Sequence, residues 1–139
     1  MGRLNILSIF DTQVFQSGGG GAAGTGPDFM RLLEALRMGG APILRPQTLA
    51  AGLANQTPQL AFSQTPGWQF SYFGAWLDDP TLAQSPAARG TNRWGGIYGH
   101  NWFIDPANKL TVVAMSNTGL EGSDGAYVGE VRDAVYASL

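Results

Sequence analysis

Residues 93–117, R-W-G-G-I-Y-G-H-N-W-F-I-D-P-A-N-K-L-T-V-V-A-M-S-N, constrain the fold more than any other part of the chain. Residues 97–104 hold five aromatic or β-branched residues in eight, and residues 110–115 form a short apolar run. Between them Asp105-Pro106-Ala107-Asn108 supplies turn chemistry. Pro106 presets φ, while the Asp105 and Asn108 side chains bond nearby backbone. The segment predicts a β-hairpin whose first strand is opened by a glycine pair, Gly95-Gly96. Side-chain-free backbone at a strand start suits a bulge, and it also lets a ligand lie against the strand like another strand.

Before the hairpin, Pro27-Asp28 opens a helix in which Phe29, Leu32, Leu33 and Leu36 keep helical spacing until Gly39-Gly40 stops it. A second helix is expected over about residues 46–54, with Gly52 as its weak point. Residues 68–77, W-Q-F-S-Y-F-G-A-W-L, alternate aromatic with small or polar residues, the pattern of one half-buried strand. Residues 55–66 and 78–92 are proline-punctuated loops. Ser123 or Asp124 is expected to cap a last helix running to about Ser138, with Tyr127, Val128, Val131, Ala134 and Val135 on one face. Two helices, about three antiparallel strands and one helix make an α+β fold class.

Composition narrows function by exclusion. The chain has 139 residues, 13% of them charged, and a formal net charge of −2. Its eight Lys and Arg form no basic stripe, so there is no electrostatic case for nucleic acid or an anionic membrane. The apolar run at residues 4–10 is too short to span a bilayer and has no convincing signal-peptide cleavage site. Without cysteine there is no disulfide or thiol nucleophile, and a single His argues against a zinc site. No metal and no cofactor is expected. Cysteine absence is compatible with cytoplasm or periplasm.

Several motifs invite sharper readings. Gly19, Gly21 and Gly24 satisfy G-x-G-x-x-G ahead of a helix, but no buried strand precedes them and no acid follows near Leu44, so a plain glycine loop is expected. Strict alternation would put Tyr98 and His100 on one strand face. A lone strand His is more often a packing or hydrogen-bonding residue than a base. A Ser116–His100–Asp105 triad has no positional support, since Asp105 belongs to a turn and Ser116 ends a strand. Adjacent Asp78 and Asp79 before Pro80 read as a solvated turn rather than paired catalytic acids.

The hairpin also resembles the serine β-lactamase-like hydrolases: class C β-lactamases, DD-peptidases and, most closely, the family VIII esterases. Trp94-Gly95-Gly96 is similar to the W-G-G that those esterases carry where many β-lactamases have K-T-G. The continuation I-Y-G-H-N-W-F-I-D-P, and upstream S-G-G-G-G from Ser17 and I-L-R-P-Q-T-L from Ile43, follow the same family order. Residues 17–139 carry the resemblance, while residues 1–16 match poorly.

The resemblance implies an acyl-enzyme hydrolase acting on carboxylic esters or β-lactams, with the Ile97 backbone N–H as one oxyanion-hole donor. Trp94, Gly95, Gly96, Tyr98 and His100 would line the substrate. It also implies an S-x-x-K nucleophile motif and a Y-x-N-type tyrosine. The one lysine, Lys109, has Pro106 three residues before it, and no tyrosine has Asn two residues later. The expectation is therefore the C-terminal portion of such a hydrolase, partnered by its missing N-terminal portion. The alternative is a non-catalytic truncated module that buries its open sheet as a homo-oligomer.

Overall fold

The computed structural model describes residues 10–15, 17–19, 22–60 and 64–139. Most of the apolar run at 4–10, Gly21 of the glycine motif, and positions 61–63 of the first polar loop lie outside the described residues. Two helices, α1 (Gly26–Arg37) and α2 (Pro46–Leu53), lead into five strands, β1 (Trp68–Phe70), β2 (Ala75–Leu77), β3 (Asn92–Gly96), β4 (His100–Asp105) and β5 (Leu110–Met115). Two further helices, α3 (Leu120–Asp124) and α4 (Ala126–Ala137), close the described chain. The strands form one antiparallel sheet in the order β1-β2-β3-β4-β5.

Local chemistry sets these boundaries. Thr25 caps α1 by accepting the Asp28 N–H at 3.3 Å while its hydroxyl donates to the Asp28 carboxylate at 2.7 Å. The helix thus starts two residues before the expected Asp28. It ends where Gly39 and Gly40 take φ of +108° and +90°. Gly52 is no weak point: a Cβ there would lie 2.5 Å from the Phe73 ring, so the glycine lets α2 press against that ring.

Two expected elements are divided. Residues 68–77 form a hairpin rather than one strand, because Gly74 takes a positive φ and the Ser71 N–H bonds its carbonyl at 2.8 Å. Alternation of aromatic and small residues looks the same in one long strand as in two short antiparallel ones. The last helix is likewise split. At Gly125 the side chain of Glu121 occupies the place of a Cβ, and its carboxylate accepts the Tyr127 N–H at 2.9 Å. Glu121 caps α4, and the expected caps Ser123 and Asp124 lie within α3. Five strands therefore replace about three, and two C-terminal helices replace one.

Neighbouring residues of β4 point to opposite faces and organise two small cores. Ile104, with no exposed surface, packs on Leu33, Leu36 and Leu49 beneath α1 and α2. Phe103 turns the other way and stacks on Tyr136 of α4, at 6.0 Å between ring centres. Trp68, Ala75, Leu77 and Ala87 form the second cluster, which Tyr136 also touches. The sheet thus stands between two helical layers.

Candidate functional site

The end of β3 is unusual in its pairing. β2 meets β3 only at Asn92 and Arg93, because Gly74 turns the chain away over the Arg93 carbonyl. β3 then runs on through Trp94, Gly95 and Gly96, paired with Trp102, Asn101 and His100 of β4. On the side away from β4, these three residues have no strand partner among the described residues. A type of turn common in hairpins follows, in which the Gly99 N–H donates to the Gly96 carbonyl at 2.9 Å. The Ile97 N–H, second residue of that turn, has no hydrogen-bond partner among the described residues. A strand edge with unpaired backbone groups is a ready template for an extended guest.

The glycine pair serves two different needs. A Cβ on Gly95 would sit 2.7 Å from the Ser123 carbonyl, so Gly95 is what lets α3 lie against the sheet. A Cβ on Gly96 would meet nothing within 4 Å. Packing therefore explains Gly95, and only at Gly96 does bare backbone face open space.

The expected strand over residues 97–104 begins later, at His100. Gly99 takes φ +104°, which no extended run of L-residues adopts, and places Ile97 and Tyr98 in the turn. Both are exposed, at 50% and 40%. Alternation consequently does not put Tyr98 and His100 on a common face. Trp94 is half exposed and lies edge-on to Phe70, with ring centres 5.8 Å apart.

His100 pairs with Gly96 on one side and Met115 on the other. Its Nδ1 is buried and has no partner among the described residues. The neighbouring Ser116 hydroxyl donates to the Gly99 carbonyl at 2.6 Å, and Asp105 lies at the far end of β4. No serine–histidine–aspartate array assembles from these three. Asp78 is paired with Arg89 at 2.7 Å, and Asp79 accepts the Leu82 N–H at 2.9 Å, so the adjacent acids are turn residues. Among the described residues no group of three or more His, Asp or Glu could hold one metal ion.

On the α3–α4 face, a cavity of about 420 Å³ reaches from Gly95 and Ile97 down to Trp68, Arg93 and Phe103. Arg93 stacks over the Trp68 ring at 4.3 Å. Burial draws its guanidinium below the ordinary arginine value, against the opposing pull of Asp124. Reading the sequence as a ligand strand singled out Trp94 and passed over Arg93. The available signal was a charged residue alternating with Trp94 in a strand flanked by apolar partners.

Comparison with known proteins identifies the family. The Beta-lactamase family model matches residues 4–137. Esterase EstB of Burkholderia gladioli is 44% identical over 130 residues, which make up 93% of this chain and 33% of that esterase. The solved structure of EstCE1, a hydrolase with promiscuous acyltransferase activity, superposes with a TM-score of 0.85 at 45% identity, over 93% of this chain and 34% of that one. The chain spans about a third of the length of these relatives. It belongs to the β-lactamase family, among hydrolases that include esterases.

Proposed function

We propose that residues 17–139 are the C-terminal portion of a serine esterase and supply its substrate strand and one oxyanion donor. The observation that carries this reading is the free backbone edge of Trp94–Gly96 followed by the unbonded Ile97 N–H. The nucleophilic Ser, its activating Lys and the Tyr come from the remaining portion. The Ser oxygen adds to the ester carbonyl as its proton passes to the base. The oxyanion then accepts hydrogen bonds from the Ile97 N–H and the N–H of that Ser. Collapse expels the alcohol, which takes the proton, and water cleaves the acyl-enzyme to the free acid by the same steps. Trp94 and Tyr98 flank the acyl group, and His100 supports the strand beneath them. Short-chain esters are preferred over β-lactams, since Trp94 offers no cation to a lactam carboxylate.

The test is hydrolysis of p-nitrophenyl acetate and butyrate, with a serine-directed phosphonate followed by intact mass. The chain alone should show neither turnover nor adduct. Adding the part of the Burkholderia gladioli esterase outside its 130 aligned residues should restore turnover, with the adduct on that added part. An adduct on this chain would sink the assignment and name another nucleophile. A second reading, a non-catalytic homo-oligomer, rests on β5, which among the described residues has only β4 as a strand neighbour, and on exposed Trp94, Met115 and Leu120. Light scattering at high concentration separates a dimer from a monomer.

A further inference from the structure

The cavity beneath α3 and α4 has chemistry that the esterase reading does not use. Its walls are largely apolar, formed by Trp68, Phe70, Phe103, Leu120 and Val128. Its volume of about 420 Å³ falls within the range of small-molecule sites. Arg93 enters this apolar space from β3, opposite Phe103 in the strand pairing. Its guanidinium stacks on Trp68 but has neither a hydrogen-bond nor an ion-pair partner among the described residues. Five N–H donors held in a partly buried apolar wall are costly unless an anion meets them.

The other charged groups of the wall close no ion pair on Arg93. Arg132 of α4 is paired with the adjacent Asp133 at 2.7 Å and is therefore charge-compensated at the rim. Asp124, the one acid in the wall, is exposed and forms no ion pair with Arg93. With Arg132 compensated by Asp133, Arg93 is left as the guanidinium of the lining without an ion-pair partner among the described residues. Planar, forked guanidinium donors match a carboxylate in two parallel hydrogen bonds.

We propose that this cavity binds an amphiphilic monocarboxylate, with the head on Arg93 and the alkyl chain along Trp68, Phe103 and Val128. Such a molecule has the chemistry of a medium-chain fatty acid, whether released by an esterase or taken from elsewhere. The cavity opens onto Gly95 and Ile97 of the proposed ester site, but binding at Arg93 does not require ester cleavage.

The test is a titration of the folded chain with decanoate and with decanol below their aggregation ranges, read by tryptophan fluorescence. Decanoate should bind at least tenfold more tightly than decanol. Arg93→Gln should bring decanoate down to the affinity of decanol and leave decanol unchanged. Should Arg93→Gln fail to fold, Val128→Trp, which fills the cavity and keeps Arg93, must abolish binding of both ligands. Equal affinity for decanoate and decanol, or binding untouched in these variants, would overturn the proposal. So would absence of binding to folded protein. Release of bound decanoate by the added portion of the Burkholderia gladioli esterase would also overturn it, because the cavity would then seat a protein segment.

Discussion

The Tyr136 hydroxyl donates to the Asp105 carboxylate, fastening the last turns of α4 to the corner between β4 and β5. Asp105 is fully buried and also accepts the Ala88 N–H at 3.0 Å and the Asn108 side-chain N–H at 2.7 Å. Through one side chain, the loop before β3, the β4–β5 turn and the C-terminal helix share an anchor. Burial raises the carboxyl's proton affinity, but the Tyr136, Ala88 and Asn108 donors outweigh it and hold its pKa below the ordinary value.

This anchor makes stability depend on pH in one direction. A folded pKa below the unfolded one gives stability that is fully present above the ordinary value of 3.8 and lost as pH falls through the folded value. Tyr136→Phe should cost about 1.5–3 kcal/mol at pH 7, the usual worth of a hydrogen bond to a charged group. Asp105→Asn should cost more, since it places an amide N–H₂ among donors. In urea unfolding, the gap between wild type and Asp105→Asn should narrow below the ordinary carboxylate range. A gap that stays constant with pH would contradict the assignment.

The two glycines of β3 should separate stability from activity. Gly95→Ala drives a methyl toward the Ser123 carbonyl at 2.7 Å and should lower the unfolding free energy by about 1–3 kcal/mol, as overpacking does. Gly96→Ala meets open space and should leave the unfolding free energy within about 0.5 kcal/mol. Its effect should appear instead as slower turnover in the reconstituted esterase. Equal destabilisation by both would show that the pair is only a packing device.

Ile97→Pro isolates the proposed oxyanion donor. Position 97 is the second residue of the turn closed by Gly96 and Gly99, where proline is favoured, and its N–H makes no hydrogen bond among the described residues that would be lost. The variant should fold normally and lose about 10²–10³ in kcat once the esterase is reconstituted. Retained kcat would remove Ile97 from the mechanism.

The α1–α2 side of the sheet should be the more sensitive to truncation. Ile104 is wholly buried among Leu33, Leu36 and Leu49. Ile104→Val should cost about 0.5–1.5 kcal/mol and Ile104→Ala about 2–5 kcal/mol. Thermal or urea unfolding of the two variants checks the ratio.

What the sequence made legible was chemistry confined to a few adjacent residues. The Asp105–Asn108 turn, β5, the glycine stop of α1 and the proline start of α2 all follow from local rules, and each stands where those rules put it. What it hid depended on distant partners. Gly74 divides a strand because its backbone closes onto Ser71, and Gly125 divides a helix because Glu121 reaches across it. Trp94 and Gly95 were visible as a motif. That β2 would part from β3 at Arg93, freeing the edge beyond, could be read only from the paired strands. Arg93 itself was hidden for the same reason, since its significance comes from Trp68 twenty-five residues away.

Among the described residues, the last three residues of β3 have strand partners on one side alone, His100, Asn101 and Trp102. Their alignment is therefore dictated by the β4 register. A slip of a single position would exchange the outlooks of Trp94 and Gly95, swinging an indole into the Ser123 carbonyl and emptying the exposed edge. That collision acts as a ratchet: α3, which supplies no group to the proposed reaction, forbids the wrong alignment of the strand beside it.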